Sequence, residues 1–368
     1  MVGASGRLVV LVLVLSAVTA RAGDVVPLDL GPRLAPLVAK YHLPGMVGAI
    51  VHGDRVVALG STGVRKVGDP TPFLATDVIH LGSDTKAMTA ILIGRLIDEK
   101  QLTFETPMAE IFPNLARKMD PETAKITVRN LLDHDAGFPH DLLWRVIEAT
   151  HFPITLQRRM AVQQALSAPP VTPIGSYSYS NVSFVVLGAI VEAKTGKTWE
   201  EAMQQEIFGP LKMESAGFGF PGTRGTVDQP WGHVLESGQL KPIQIDNAPV
   251  MGPAGTVHCS IVDWSKFITE MLKSAEGNPT LLSAKTFNAL TTPMPGQSYA
   301  GGWIIAPRPW AGGTTLTHGG NNTTFDCNVW IAPKKDFALM IATNYGSEPV
   351  DTAADEGIGM LIGVNSGL

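Results

Sequence analysis

The sequence predicts an α+β fold: one antiparallel sheet assembled from both chain ends and flanked by helices, with a mostly helical domain inserted between its strands. Three observations predict it. Strand-like apolar runs lie near the N-terminus, at residues 45–52 (GMVGAIVH) and 55–60 (RVVALG). A second cluster of such runs lies far along the chain, between Tyr299 and Thr343. Between the two clusters, apolar residues recur mostly at helical spacing.

In chain order, residues 1–22 read as an export signal. Arg7 supplies a positive n-region, Leu8 to Leu15 is an unbroken apolar run, and Ala20-Arg21-Ala22 fits a small-x-small cleavage site. That run is short for a bilayer span, so the mature chain is expected outside the cytoplasm, periplasmic or extracellular, with no stable membrane span. Gly53-Asp54 between the first two runs is a hairpin signal. Residues 77–82 form a further strand-like run. Helical patterns follow at 83–99, 128–132, 155–166, 182–195, 199–207 and 261–272. Strand patterns return as GGWIIA within Tyr299–Ala306, Thr314–Thr317, CNVWIA (327–332) and FALMIAT (337–343), with Pro333-Lys334-Lys335-Asp336 turning between the last two. A final helix is expected near 353–362. The predicted sheet domain is therefore 23–82 plus 295–368, the helical domain 83–294, and the functional site lies at their junction.

Net charge is −5 and no basic block occurs, which argues against a nucleic-acid partner. The two cysteines, Cys259 and Cys327, could pair in an oxidising compartment; their separation neither supports nor excludes it. No His-Glu-x-x-His or Cys-x-x-Cys spacing occurs, and neither a metal nor another cofactor is expected.

Ser83-Asp84-Thr85-Lys86 carries most of the functional information. Gly82 lets the chain turn sharply out of the preceding strand. Residues three apart on a helix are neighbours, so the Ser83 hydroxyl and the Lys86 amine can meet. A serine is a poor nucleophile until a base takes its proton, and a lysine becomes that base only when its pKa is lowered. The tetrapeptide alone reads more readily as an N-cap serine followed by a surface lysine, and its context shifts that reading. Met88, Ile91, Leu92, Leu96 and Ile97 give the helix one apolar face in this reading.

Two further segments suit the same chemistry. Tyr179-Ser180-Asn181 leads from a Gly-containing loop into an apolar helix, with Ser180 or Asn181 as its N-cap. Here the Tyr179 phenol would exchange protons with Lys86, which would favour its phenolate, and the Asn181 amide would point at substrate. His318-Gly319-Gly320 lies on a strand-like segment whose glycines allow close approach of a substrate to the backbone. His134, His140, His233 and His258 read as structural histidines.

These three motifs, in this order, resemble those of the serine hydrolases that include class C β-lactamases, D-alanyl-D-alanine carboxypeptidases and family VIII carboxylesterases. Residues 126–139 (ITVRNLLDHDAGFP), 179–192 and 252–267 are similar to characteristic flanking segments, and the resemblance covers roughly 43–363. It implies a β-lactamase/penicillin-binding-protein-like fold and an acyl-enzyme on Ser83. Lys86 and Tyr179 would share acid–base duty, Asn181, His318 and Gly320 would contact substrate, and the backbone N–H groups of Ser83 and Asn321 would form the oxyanion hole. His318 stands where many members carry lysine. The substrate expected is a small molecule or short peptide, with an ester or peptide favoured over an efficiently cleaved β-lactam. The alternative is a non-catalytic cell-wall peptide or penicillin-binding protein on the same scaffold. No Gly-x-Ser-x-Gly elbow occurs, which leaves an α/β-hydrolase unsupported.

Overall fold

The computed structural model describes residues 26–368. The expected export signal and its cleavage site lie outside the described residues.

The main sheet has eight strands. Their spatial order is Leu28–Asp29, Arg55–Gly63, Gly45–His52, Phe337–Thr343, Asp326–Ala332, Gly313–Asn321, Trp303–Arg308, Tyr299–Ala300. All neighbours are antiparallel except the first pair. The two chain ends meet where Gly45–His52 pairs with Phe337–Thr343, Ala49 lying opposite Met340. Gly53-Asp54 is the two-residue loop of the first hairpin, and Gly53 has φ 57°.

Strand 337–343 reads as continuously apolar because both sheet faces are covered. Side chains alternate between faces. Leu339 and Ile341 join Leu30, Leu34 and Ile50 under the helices Gly31–Lys40 and Val350–Asn365. Ala338, Met340 and Ala342 face the helical region with Val329 and Phe267. Within that region the helices Thr85–Asp98 and Asn181–Thr195 pack together, with Ile91 and Val185 both buried.

Four sequence expectations change. Helix Thr85–Asp98 is not one-sided: Lys86 through Gly94 are all buried, because other elements surround it. The strand after residue 77 is Val78–His80, and it belongs to a separate three-stranded sheet with Val257–Ser260 and Gly217–Phe218. The helix starting at Trp199 continues past Met203 as one π-helical turn, Gln204–Phe208. A hairpin of Gly232–Glu236 and Gln239–Ile243 was not expected, since the second strand is polar and contains Pro242. Cys259 and Cys327 are both buried free thiols.

Candidate active site

Ser83 sits in the single 3₁₀ turn Gly82–Asp84 that feeds helix Thr85–Asp98. Gly82 has φ 48°, and a Cβ there would lie 2.5 Å from the backbone nitrogen of Asn321. Glycine therefore serves twice, for the left-handed turn and for contact with the strand Gly313–Asn321.

Lys86 has no exposed surface. Its Nζ lies 3.0 Å from Ser83 Oγ, 2.8 Å from Asn181 Oδ1 and 2.7 Å from the Ala254 carbonyl oxygen. Burial, opposed by the charges of Asp141 and Asp84, lowers its pKa from 10.5 to about 7. The geometry then fixes the role of each amine position. Asn181 Oδ1 and Ala254 O only accept, so they take the two N–H groups of a neutral amine. The remaining lone pair faces Ser83 Oγ.

The Tyr179 hydroxyl lies 2.9 Å from Ser83 Oγ, and the Lys86 ammonium position is 4.8 Å from its ring centroid. Burial drives the Tyr179 pKa upward, against the hydrogen bond to Ser83, which lowers it. This corrects the phenolate expectation: desolvation of the phenol outweighs its hydrogen bond to Ser83, and Tyr179 is a neutral phenol. His134 holds the segment in place. Its Nδ1 accepts from the Ser180 N–H at 3.2 Å, and its ring packs 4.3 Å from that of Tyr179 and 4.6 Å from that of Tyr299.

Ser180, not Asn181, is the N-cap of helix Asn181–Thr195, accepting from the Ser183 N–H. That frees the Asn181 amide to bridge. Its Nδ2 donates to Asp141 Oδ1 at 2.9 Å, an oxygen that also accepts from Trp144 Nε1 at 2.7 Å. The acceptor-only carboxylate dictates which end of the amide faces Lys86.

His318 is 4% exposed. Its Nε2 is 3.3 Å from the Tyr299 hydroxyl, its Nδ1 is 3.5 Å from Asp84 Oδ1, and its ring centroid is 6.4 Å from that of Tyr179. Gly320 is buried, and a Cβ there would fall 1.9 Å from Leu81 O and 3.0 Å from Asp84 N, so its lack of a side chain accommodates the nucleophile turn. The exposed glycine of the pair is Gly319. The Asn321 side chain turns away to Asp326 Oδ2 and Gly346 O, while its backbone nitrogen lies against Gly82.

Thus the structure brings Ser83, Lys86, Tyr179 and Asn181 into one hydrogen-bonded cluster, sets His318 beside it, and puts the Asn321 backbone against the Ser83 turn. Sequence reasoning missed Asp141, Tyr299, Asp84 and the Ala254 carbonyl. Asp141 sits in an aperiodic loop, and a backbone acceptor carries no side-chain signal. His233 and His258 bond only backbone groups: His233 bridges the Val67 N–H and Asn344 O, and His258 Nδ1 meets Gly219 O.

The protein-family model described as Beta-lactamase matches residues 32–361. The chain is 26% identical over 356 residues to unguisins hydrolase ungD' of Aspergillus campestris, covering 91% of this chain and 65% of that protein. It is 29% identical over 195 residues to penicillin-binding protein 4 of Amycolatopsis lactamdurans, covering 50% of this chain and 47% of that protein. The chain thus spans about half to two thirds of the length of these curated relatives. Among solved structures, the octameric penicillin-binding protein homologue from Pyrococcus abyssi superposes with TM-score 0.73 at 23% identity, covering 90% of this chain and 76% of that one. A beta-lactamase from Sulfitobacter sp. EE-36 superposes with TM-score 0.72 at 18% identity, covering 92% and 97%.

Proposed function

The chain belongs to the beta-lactamase family of serine hydrolases, and we propose that it cleaves a small ester or amide through an acyl-enzyme on Ser83. The observation that carries this reading is the pair of contacts to Ser83 Oγ: Lys86 Nζ at 3.0 Å and the Tyr179 hydroxyl at 2.9 Å, with Lys86 lowered to about 7.

The neutral Lys86 amine takes the Ser83 proton as Oγ attacks the substrate carbonyl carbon. The oxyanion that forms is held by the backbone N–H groups of Ser83 and Asn321. On collapse the carbonyl–leaving-group bond breaks. The proton passes from Lys86 by way of Tyr179 to the departing oxygen or nitrogen, which leaves as alcohol or amine. Water, deprotonated by the same pair, then cleaves the acyl–Ser83 ester and regenerates the hydroxyl.

An ester or peptide is favoured over a β-lactam. By the family resemblance His318 stands where many members carry lysine; it is buried and faces Asp84 and Tyr299, so it offers no freely exposed cation to a β-lactam carboxylate. A relative named as a hydrolase of unguisins supports hydrolytic turnover over binding alone.

The test is intact-mass measurement after a fluorophosphonate or penicillin probe, together with initial rates on a short-chain p-nitrophenyl ester, a D-amino-acid peptide and a chromogenic cephalosporin. The expected result is a single adduct on Ser83, absent in Ser83→Ala, and turnover of ester or peptide well above cephalosporin. Active protein without an adduct on Ser83 refutes the mechanism.

A further inference from the structure

A cleft of about 510 Å³ is lined among others by Arg145, Phe218, Phe220, Arg224, Ile245 and Asn247. One of its lining residues leads to the Ser83 turn. Asn247 Nδ2 donates to the Gly255 carbonyl at 2.7 Å, and a Cβ on Gly255 would lie 3.4 Å from Gly82 O, in the residue before Ser83. The opposite rim is tied to the catalytic cluster as well, because Arg145 follows Trp144, whose indole shares Asp141 Oδ1 with Asn181. The cleft is thus joined to the Ser83 turn through Asn247 and Gly255, and to the catalytic cluster through Trp144 and Asp141.

The charges around the cleft are unevenly satisfied. Glu200 is held by Arg158, at 3.0 Å for one of two contacts. Asp246 Oδ1 accepts from its neighbour Asn247 N at 2.7 Å and faces His80 Nε2 at 2.8 Å; because His80 Nδ1 accepts from the Gly82 N–H, Nε2 carries the proton. Arg145 pairs with Glu148 at 2.7 Å. Arg224 differs. Among the described residues no carboxylate lies within 4.0 Å of its guanidinium, whose single hydrogen bond runs from Nη1 to Gln244 O at 3.3 Å. The guanidinium lies 4.7 Å from the Phe220 ring centroid, which restrains its plane. Beside it, Ile245 is 40% exposed and the Phe218 and Phe220 rings are half-buried. Arg224 itself is exposed, so its guanidinium stands at the rim of the cleft, restrained by Phe220 and next to apolar side chains, a combination that matches an anion carried on an apolar body.

We propose that this cleft is an acyl-side subsite selecting substrates whose acyl group is an apolar chain or ring bearing a carboxylate, with Arg224 as the specificity-determining residue. The proposal rests on the hydrolase reading above and deepens it. The fixed cation of substrate recognition is then supplied by the loop at 221–226, on the acyl side of Ser83, rather than by the strand that carries His318.

The test compares kcat/KM for p-nitrophenyl hydrogen adipate and suberate with that for p-nitrophenyl hexanoate and octanoate, in wild type, Arg224→Ala, Arg224→Lys and Arg224→Glu. The anionic-to-neutral ratio is expected to fall about fivefold in Arg224→Ala, as for a partly exposed ion pair. It should fall further in Arg224→Glu, recover in part in Arg224→Lys, and shrink in wild type with added salt. A binding measurement separates this proposal from the catalytic one. Ser83→Ala should bind p-nitrophenyl hydrogen suberate unreacted, and its Kd by calorimetry should rise about fivefold on adding Arg224→Ala. Arg224-dependent binding with no turnover by wild type sinks the catalytic reading and keeps the subsite. Turnover with the same ratio in wild type and Arg224→Ala, or a Kd indifferent to Arg224, overturns the subsite.

Discussion

Replacing Lys86 with methionine tests the electrostatic basis of the site without reference to any substrate. Lys86 is wholly buried, and its pKa of about 7 compares with 10.5 when solvated. At acid pH the folded chain must hold an ammonium where water does not reach, a cost of about 5 kcal/mol by the size of that shift. The unfolded chain keeps its proton up to about pH 10.5. Between pH 7 and 10.5 the unfolded state thus binds more protons than the folded one, and stability rises with pH by up to about 1.4 kcal/mol per unit. Lys86→Met removes that dependence. It also strands Asn181 Oδ1 and Ala254 O, at about 1–3 kcal/mol each, a loss that does not vary with pH. The difference in unfolding free energy between variant and wild type should therefore shift by about 2–3 kcal/mol against the variant from pH 6 to pH 9. Urea unfolding of both proteins at several pH values reads this difference, in which other titrating groups cancel. Parallel stability curves would show that Lys86 does not titrate near neutrality, and the general-base assignment would fall with them.

The same titration should govern turnover: kcat/KM on a p-nitrophenyl ester rises with pH through about 7, as Lys86 loses its proton, and then levels; a profile flat from pH 5 to 9 contradicts the role given to the amine. Tyr179→Phe keeps the ring packing against His134 but removes the proton relay at Ser83 Oγ, so kcat should drop by about 10²–10⁴-fold with little change in KM, measured on the same ester. Gly320→Ala drives a methyl into Leu81 O, at about 1–3 kcal/mol, and should lower kcat because the displaced backbone belongs to the Ser83 turn; unchanged activity and urea midpoint would contradict that packing. Arg158→Ala leaves Glu192 and Glu200 without their buried cation and should cost about 3–5 kcal/mol in urea unfolding; a loss under 1 kcal/mol would mean that solvent reaches those carboxylates.

Much of this protein is written locally. The hairpin around Gly53-Asp54, the apolar strands near the C-terminus and the Ser83–Lys86 helical spacing each depend on residues close in sequence, where turn chemistry and periodicity act directly. The order of Ser83, Tyr179 and His318 along the chain further pointed to a hydrolase site. Misreadings arose where distant elements cover a segment. The helix Thr85–Asp98 looked one-sided from the spacing of Met88, Ile91, Leu92, Leu96 and Ile97, but Lys86 and Thr89 on its other side are buried too, against Ala254, Asn181 and Pro253. At Gly320 the sequence could not show that the chain's own Leu81–Asp84 turn packs against it.

The sequence by itself determined which groups are available and how far apart they lie along the chain: a hydroxyl three residues from an amine, a phenol before a helix, an imidazole before two glycines. Only the tertiary structure decided their protonation. Whether Lys86 is a base and Tyr179 a neutral acid depends on how much water each has lost and which acceptors surround it, and those neighbours, Ala254 O, Asn181 and Asp141, come from segments more than 50 residues away from Lys86. Desolvation belongs to the packed molecule, so no short stretch of chain can encode it.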